Sequence, residues 1–103
     1  LLHADDMTAL YFAALPRAAE LKGNAFNIGG GLSNSLSLLE LFDMLERHID
    51  APLNYVHAPF RASDQKVFIA DTTRATQLLG WCPTVTKEAG VGRMLRWTEE
   101  LQA

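Results

Sequence analysis

The residues best suited to chemistry lie in the stretch APFRASDQ, where Arg61 and Asp64 stand three apart between two apolar segments, with Gln65 beside them. A guanidinium offers a planar fork that matches a diphosphate, and a carboxylate can accept from a sugar or ribose hydroxyl. The same two side chains would also make an ordinary solvated surface pair, and spacing alone leaves both readings open. Asp5 and Asp6 are adjacent carboxylates. Paired carboxylates can do acid–base work, but at the start of a helical pattern, capping and first-turn charge account for them more simply.

The glycines of FNIGGGLSNS imitate a dinucleotide loop. Gly29 and Gly31 supply the first two positions of G-x-G-x-x-G, and Asp50 falls near the distance of the ribose-binding acid. Three features argue against that use. Asn34 takes the place of the third glycine, the next helix is expected to begin only after Ser37, and Asp50 precedes the following strand instead of ending it. No Gly-Lys-Ser/Thr follows, as a P-loop requires. The glycines therefore read as a left-handed or tightly packed turn that excludes side chains.

Other catalytic sets are incomplete. His3, His48 and His57 have no metal-ligand spacing, and Cys82 is the single cysteine. His48 sits near a helix carboxyl end, where a structural role suffices. Tyr11 and Tyr55 lack a lysine four residues on, and no G-x-S-x-G occurs. No catalytic residue and no metal or cofactor ligand is assigned within these residues.

The elements that must hold these groups alternate. LLHA, AFNI, LNYVHA and KVFIA read as short strands. A helix is expected over DDMTALYFAALPRAAELKG, with Met7, Leu10, Tyr11, Ala14 and Leu15 at helical spacing, a break at Pro16 and a stop at Gly23. SLSLLELFDMLERHI carries a capping box at Ser37 and Glu40. Leu38, Leu41, Phe42 and Leu45 form its expected buried stripe, and Asp43, Glu46 and Arg47 its outer face. Asp50 and Pro52 end that helix. Asp71 caps TTRATQLLG, which stops at Gly80; WCPTV connects it to a last helix that begins after Thr86. The expected fold class is mixed α/β in one small unit covering residues 1–103.

Composition narrows the function classes. With 103 residues and 49% hydrophobic content the chain fits one small globular domain. Its net charge of −3 and lack of a basic stripe argue against nucleic-acid binding. No apolar run approaches the roughly 18 residues of a membrane span. One cysteine rules out an intrachain disulfide and fits a reducing compartment, so a cytoplasmic location is expected. LLHADD opens without Met in what reads as the tail of a buried strand, so the chain is expected to be a fragment of something longer. Apolar surface left bare in such a fragment would favour self-association, through LLHA above all.

Taken in order, LHADDM, GNAFNIGGG with SLSLLEL, PFRASDQKVFIADTTRATQLLGW and GVGRMLRW resemble the carboxyl-terminal part of an extended short-chain dehydrogenase/reductase of the nucleotide-sugar epimerase/dehydratase family. The likeness covers nearly the whole chain. It implies a substrate-binding lobe that closes over a nucleotide sugar, a CDP-sugar first among them, beside a Rossmann domain that holds NAD. That domain, with its glycine motif and Tyr-x-x-x-Lys pair, does not occur in these residues. By this resemblance the family's Arg-x-x-Asp substrate loop falls on Arg61 and Asp64, with Ala62-Ser63 where Pro-Gly is usual. The family's helix-start Asp falls on Asp6, read here as structural. The parent would use NAD to invert a sugar carbon, C2, and this part alone would bind no NAD and be inactive. Homo-oligomers are possible for such a parent. A 4-epimerase, 4,6-dehydratase or reductase on another nucleotide sugar would use the same two residues. The rival of a different class is a non-catalytic α/β module for assembly or ligand binding.

Overall fold

A computed structural model describes residues 1–102. The chain divides into two compact units, one of Leu1–Ser35 with the chain from Ile69 onward, the other Leu36–Phe68.

The first unit is helical. α1 spans Ala4–Ala14, a 3-10 turn at Leu15–Arg17 contains Pro16, and α2 covers Ala18–Leu21. Proline has no N–H to donate and its ring crowds the preceding turn, so the single long helical pattern becomes two helices joined at Pro16, as the sequence predicts. Another 3-10 turn lies at Leu32–Asn34, followed later in the chain by α4 (Thr73–Leu79) and α5 (Lys87–Gln102); the intervening α3 belongs to the second unit. α4 ends at Gly80 in the left-handed region, with the Gly80 amide donating to Thr76 and the Trp81 amide to Ala75. This closure turns Trp81 inward. Leu10, Ala75 and Trp81 form the buried cluster, with Leu2, Met7, Phe26, Ile28 and Leu79 packed around it.

Trp81 lies in the connector, as expected, but is buried there, at 4% exposure. An apolar residue just past a glycine helix stop commonly folds back on the helix, and that was the available signal. The stripe expected on α1 splits. Leu10 and Met7 reach the core, whereas Tyr11 and Leu15 are exposed. Asp71 does accept from the first amide of α4, at Thr73 (3.0 Å), and from the Thr73 hydroxyl. The hydroxyl and the amide together hold the Asp71 carboxyl below its ordinary value.

The second unit contains one helix, α3 (Leu38–Ile49). Its capping box forms as predicted. The Glu40 amide donates to the Ser37 hydroxyl at 3.1 Å, and the Ser37 amide donates to the Glu40 carboxylate at 2.9 Å. Asp50 ends the helix in the left-handed conformation. The buried stripe needs correcting: Met44 is the buried residue, Leu41, Phe42 and Leu45 are half-buried, and Leu38 is exposed. Glu46, expected to face outward, accepts from the Leu53 amide at 3.0 Å and so ties down the chain after the helix. Beyond it the Phe42 and Tyr55 rings stack at 4.7 Å, and the Tyr55 and His57 rings meet edge-on at 5.7 Å.

The helices expected from the sequence are present, but the strands of the expected mixed α/β class are not. None of the described residues forms a strand, including LLHA, AFNI, LNYVHA and KVFIA. A strand exists only when its amides and carbonyls pair with a neighbouring strand. Here some of those groups go to side chains: the Ala25 carbonyl accepts from Arg74 (3.1 Å), and the Leu53 amide donates to Glu46. LLHA accordingly offers no formed strand edge for self-association.

Candidate functional site

Arg61 and Asp64 meet. A turn closes with the Asp64 amide donating to the Arg61 carbonyl at 3.1 Å, and the Arg61 amide returns a bond to Asp64 Oδ2 at 3.1 Å. Arg61 Nε also donates to the same carboxylate, at 3.1 Å to Oδ1. Ala62 and Ser63 form the tip. Among the described residues only Asp50 has a positive φ outside glycine, so this turn needs no glycine at its tip. The Arg61 side chain is 85% exposed, and the Asp64 side chain 29%. Only Nε is engaged among the described residues, which leaves the two Nη groups, the prongs of the fork, directed to solvent. The turn thus fixes the carboxylate and presents a cation. In chemical terms it can bind an anion through charge-assisted hydrogen bonds.

Asp5 and Asp6 supply the expected negative charge in the first turn of α1 but not the expected cap. Neither side chain caps α1; His3 does, with Nδ1 accepting from the Asp5 amide at 3.1 Å. Asp5 reaches α5 and pairs with Arg93 at 3.1 Å. Asp6 is 3% exposed and entirely engaged. Its Oδ1 accepts from the Thr84 amide (3.0 Å) and hydroxyl (2.9 Å), its Oδ2 from the Val85 amide (3.0 Å), and its carbonyl from Trp81 Nε1 (2.8 Å). Burial pushes the Asp6 pKa up, but the Val85 and Thr84 amides, the Thr84 hydroxyl and nearby His3 outweigh it and hold the carboxyl below its ordinary value. A carboxylate buried to 3% exposure with both oxygens bonded to the chain is not open to a substrate. Its role is structural, as read from the sequence, but the device is a clamp on the connector before α5.

The glycine turn behaves as its residue types predict. Gly31 has φ +82°, in the left-handed region, and a Cβ at Gly30 would collide with the Leu1 carbonyl. Asn34, standing where a third glycine would be, donates to the Gly30 carbonyl at 2.8 Å and accepts from the Lys87 amide at the start of α5 at 2.9 Å. The 3-10 turn intervenes before α3, so that helix's amino terminus does not open at the glycines. The turn lacks the glycine-to-helix geometry of a dinucleotide cradle, and these residues do not fit NAD. No cluster of His, Cys, Asp or Glu suited to a metal occurs among the described residues. No helix is long and apolar enough to cross a membrane among them.

No family model matches the chain. Individual proteins do. The chain is 47% identical over 100 residues to CDP-paratose 2-epimerase of Salmonella typhi, covering 97% of this chain and 30% of that protein. This chain is related to the nucleotide-sugar epimerases. It is also 33% identical to UDP-glucuronate 4-epimerase of Thermodesulfobacterium geofontis, over 94% of this chain and 31% of the relative. dTDP-L-rhamnose 4-epimerase of Burkholderia thailandensis is 30% identical over 90% of this chain and 25% of the relative. This epimerase relative therefore spans about a third or less of the length of the proteins it matches. The resemblance read from its motifs is borne out along almost the whole sequence.

Proposed function

We propose that this chain is the carboxyl-terminal, substrate-contacting region, residues 1–103, of an NAD-dependent nucleotide-sugar epimerase. The substrate proposed is a CDP-sugar, and the reaction inversion of C2, converting CDP-paratose to CDP-tyvelose. The observation that carries this reading is the 47% identity to a CDP-paratose 2-epimerase across 97% of the chain. NAD, held in the whole enzyme outside these residues, would supply the reversible hydride acceptor that such an inversion needs. Arg61 would hold the diphosphate through its free Nη groups, and Asp64 would set the Arg61 turn and accept from a hydroxyl of the nucleoside. The chain supplies no acid, base or hydride carrier of its own and is inactive in isolation on this reading. A 4-epimerase on another nucleotide sugar is the second reading, favoured by the relatives at 33% and 30% identity.

Calorimetry on the enzyme that carries this sequence, titrated with CDP- and UDP-sugars, tests the assignment. Arg61→Ala is expected to weaken CDP-sugar binding by about 1.5–3 kcal/mol, the value of a charge-assisted hydrogen bond. Unchanged affinity would remove Arg61 from the site. Tighter binding of the UDP-sugar would favour the second reading.

A further inference from the structure

His3 caps α1 through a nitrogen whose hydrogen-bonding role reverses when the ring is protonated. Its Nδ1 accepts from the Asp5 amide at 3.1 Å, which requires a lone pair there and the ring proton on Nε2. An imidazolium carries protons on both nitrogens and can no longer accept that bond. The same Nδ1 lies 3.6 Å from Asp5 Oδ2, the oxygen that holds Arg93 Nη1 at 3.1 Å. One carboxylate thus stands between two potential cationic partners, one on each side.

The ring lies between α5 and an open cleft. It packs against α5 at Gly90, where an added Cβ would lie 3.2 Å from His3 Cδ2. From α1, Asp5 Oδ2 faces the ring at 3.6 Å, and the charge of His3 helps hold the Asp6 carboxyl low. From α5, Arg93 and Lys87 line the same cleft of about 650 Å³, which Leu2, Val85 and Trp97 also border. Lys87 is held at the Ser35 carbonyl, 3.1 Å away, so the movable cation is Arg93.

We propose that His3 is a pH-sensitive latch between α1 and α5. Neutral His3 caps α1 and leaves Asp5 to Arg93. On acidification the ring takes a proton from solvent at Nδ1, gives up the Asp5 amide and pairs with the Asp5 carboxylate. Arg93 is then released toward the cleft, whose wall gains one positive charge.

Nuclear magnetic resonance on the enzyme that carries this sequence, with its histidines and Asp5 selectively labelled, tests the latch. The His3 ring is expected in the Nε2–H form at neutral pH. Protection of the Asp5 amide, corrected for the intrinsic pH dependence of exchange, should fall about fivefold with the same midpoint as the ring, the scale of losing one helix cap. The Arg93 guanidinium signals should report loss of the Nη1 contact over that range, and an Arg93 unchanged through the ring's titration overturns the proposal. In His3→Asn, whose side chain caps well but does not titrate, protection of Asp5 should stay flat. An Nδ1–H ring at neutral pH, or Asp5 protection that ignores the ring's titration, overturns the proposal. So does a pH-dependent change that persists in His3→Asn.

Discussion

Asp6 and Asp64 are both aspartates that accept several hydrogen bonds, yet they serve opposite ends. Asp6 gathers donors 78 and 79 residues away in sequence, is 3% exposed, and takes only backbone amides and a hydroxyl. Asp64 takes everything from Arg61, three residues back. The first carboxylate is spent on holding distant segments together. The second shapes a local turn and leaves its partner cation in solvent. Sequence separation of the donors, more than their number, distinguishes the structural carboxylate from the one that can take part in binding.

The largest break in this contrast should come from removing the buried partner. Asp6→Ala leaves the Thr84 and Val85 amides without acceptors, and a charged acceptor is worth about 1.5–3 kcal/mol while stranded donors add further cost. A loss of about 3 kcal/mol or more is expected in urea unfolding of the first unit. A loss under about 1 kcal/mol would mean that water replaces the carboxylate without penalty.

Acid gives a second, smaller test on the unmodified chain. Asp6 has its folded-state pKa lowered below the ordinary 3.8. A group with a depressed folded pKa stabilises fully above the unfolded pKa, and that stability is lost as pH falls through the folded value. The native chain should therefore lose stability as pH drops below about 3.8. In Asp6→Asn, less stable throughout, this part of the slope should be absent. Equal slopes in the two proteins would assign acid sensitivity to other carboxylates.

How much of this was legible beforehand follows the same division between local and distant donors. The capping box at Ser37 and Glu40, the break at Pro16 and the left-handed glycine at Gly31 all formed as read, because each is decided within a few residues. The Arg61–Asp64 pair was also visible as a motif, since its partners are three apart. The clamp of Asp6 on Thr84 and Val85 was not, because nothing near Asp6 names its donors. Nor was the fate of AFNI and LNYVHA. Their β-type sequence is a preference for a paired, half-buried surface, and without a partner the neighbouring backbone goes to Arg74 and Glu46 instead. His3 was passed over as a lone histidine. Its position immediately before two aspartates at a helix start was a signal that a cap residue was needed, and histidine ranks below the usual cap types.

The smallest effect is expected at the exposed pair, and it tests the comparison from the other side. Asp64→Ala removes the acceptor of the Arg61 amide and guanidinium, but both donors can turn to water, and exposed ion pairs contribute about 0–1 kcal/mol. Stability should change by less than about 1 kcal/mol, while the turn loses the bonds that orient Arg61. Calorimetry of nucleotide-sugar binding to the enzyme carrying this sequence should then show a weaker, more entropically costly association, because the guanidinium must be ordered on binding. If Asp64→Ala destabilises the chain as much as Asp6→Ala does, the turn is a structural element and the distinction drawn from donor separation fails. If stability and binding are both unmoved, the Asp64 carboxylate does no more than face solvent and Arg61 orients itself without help.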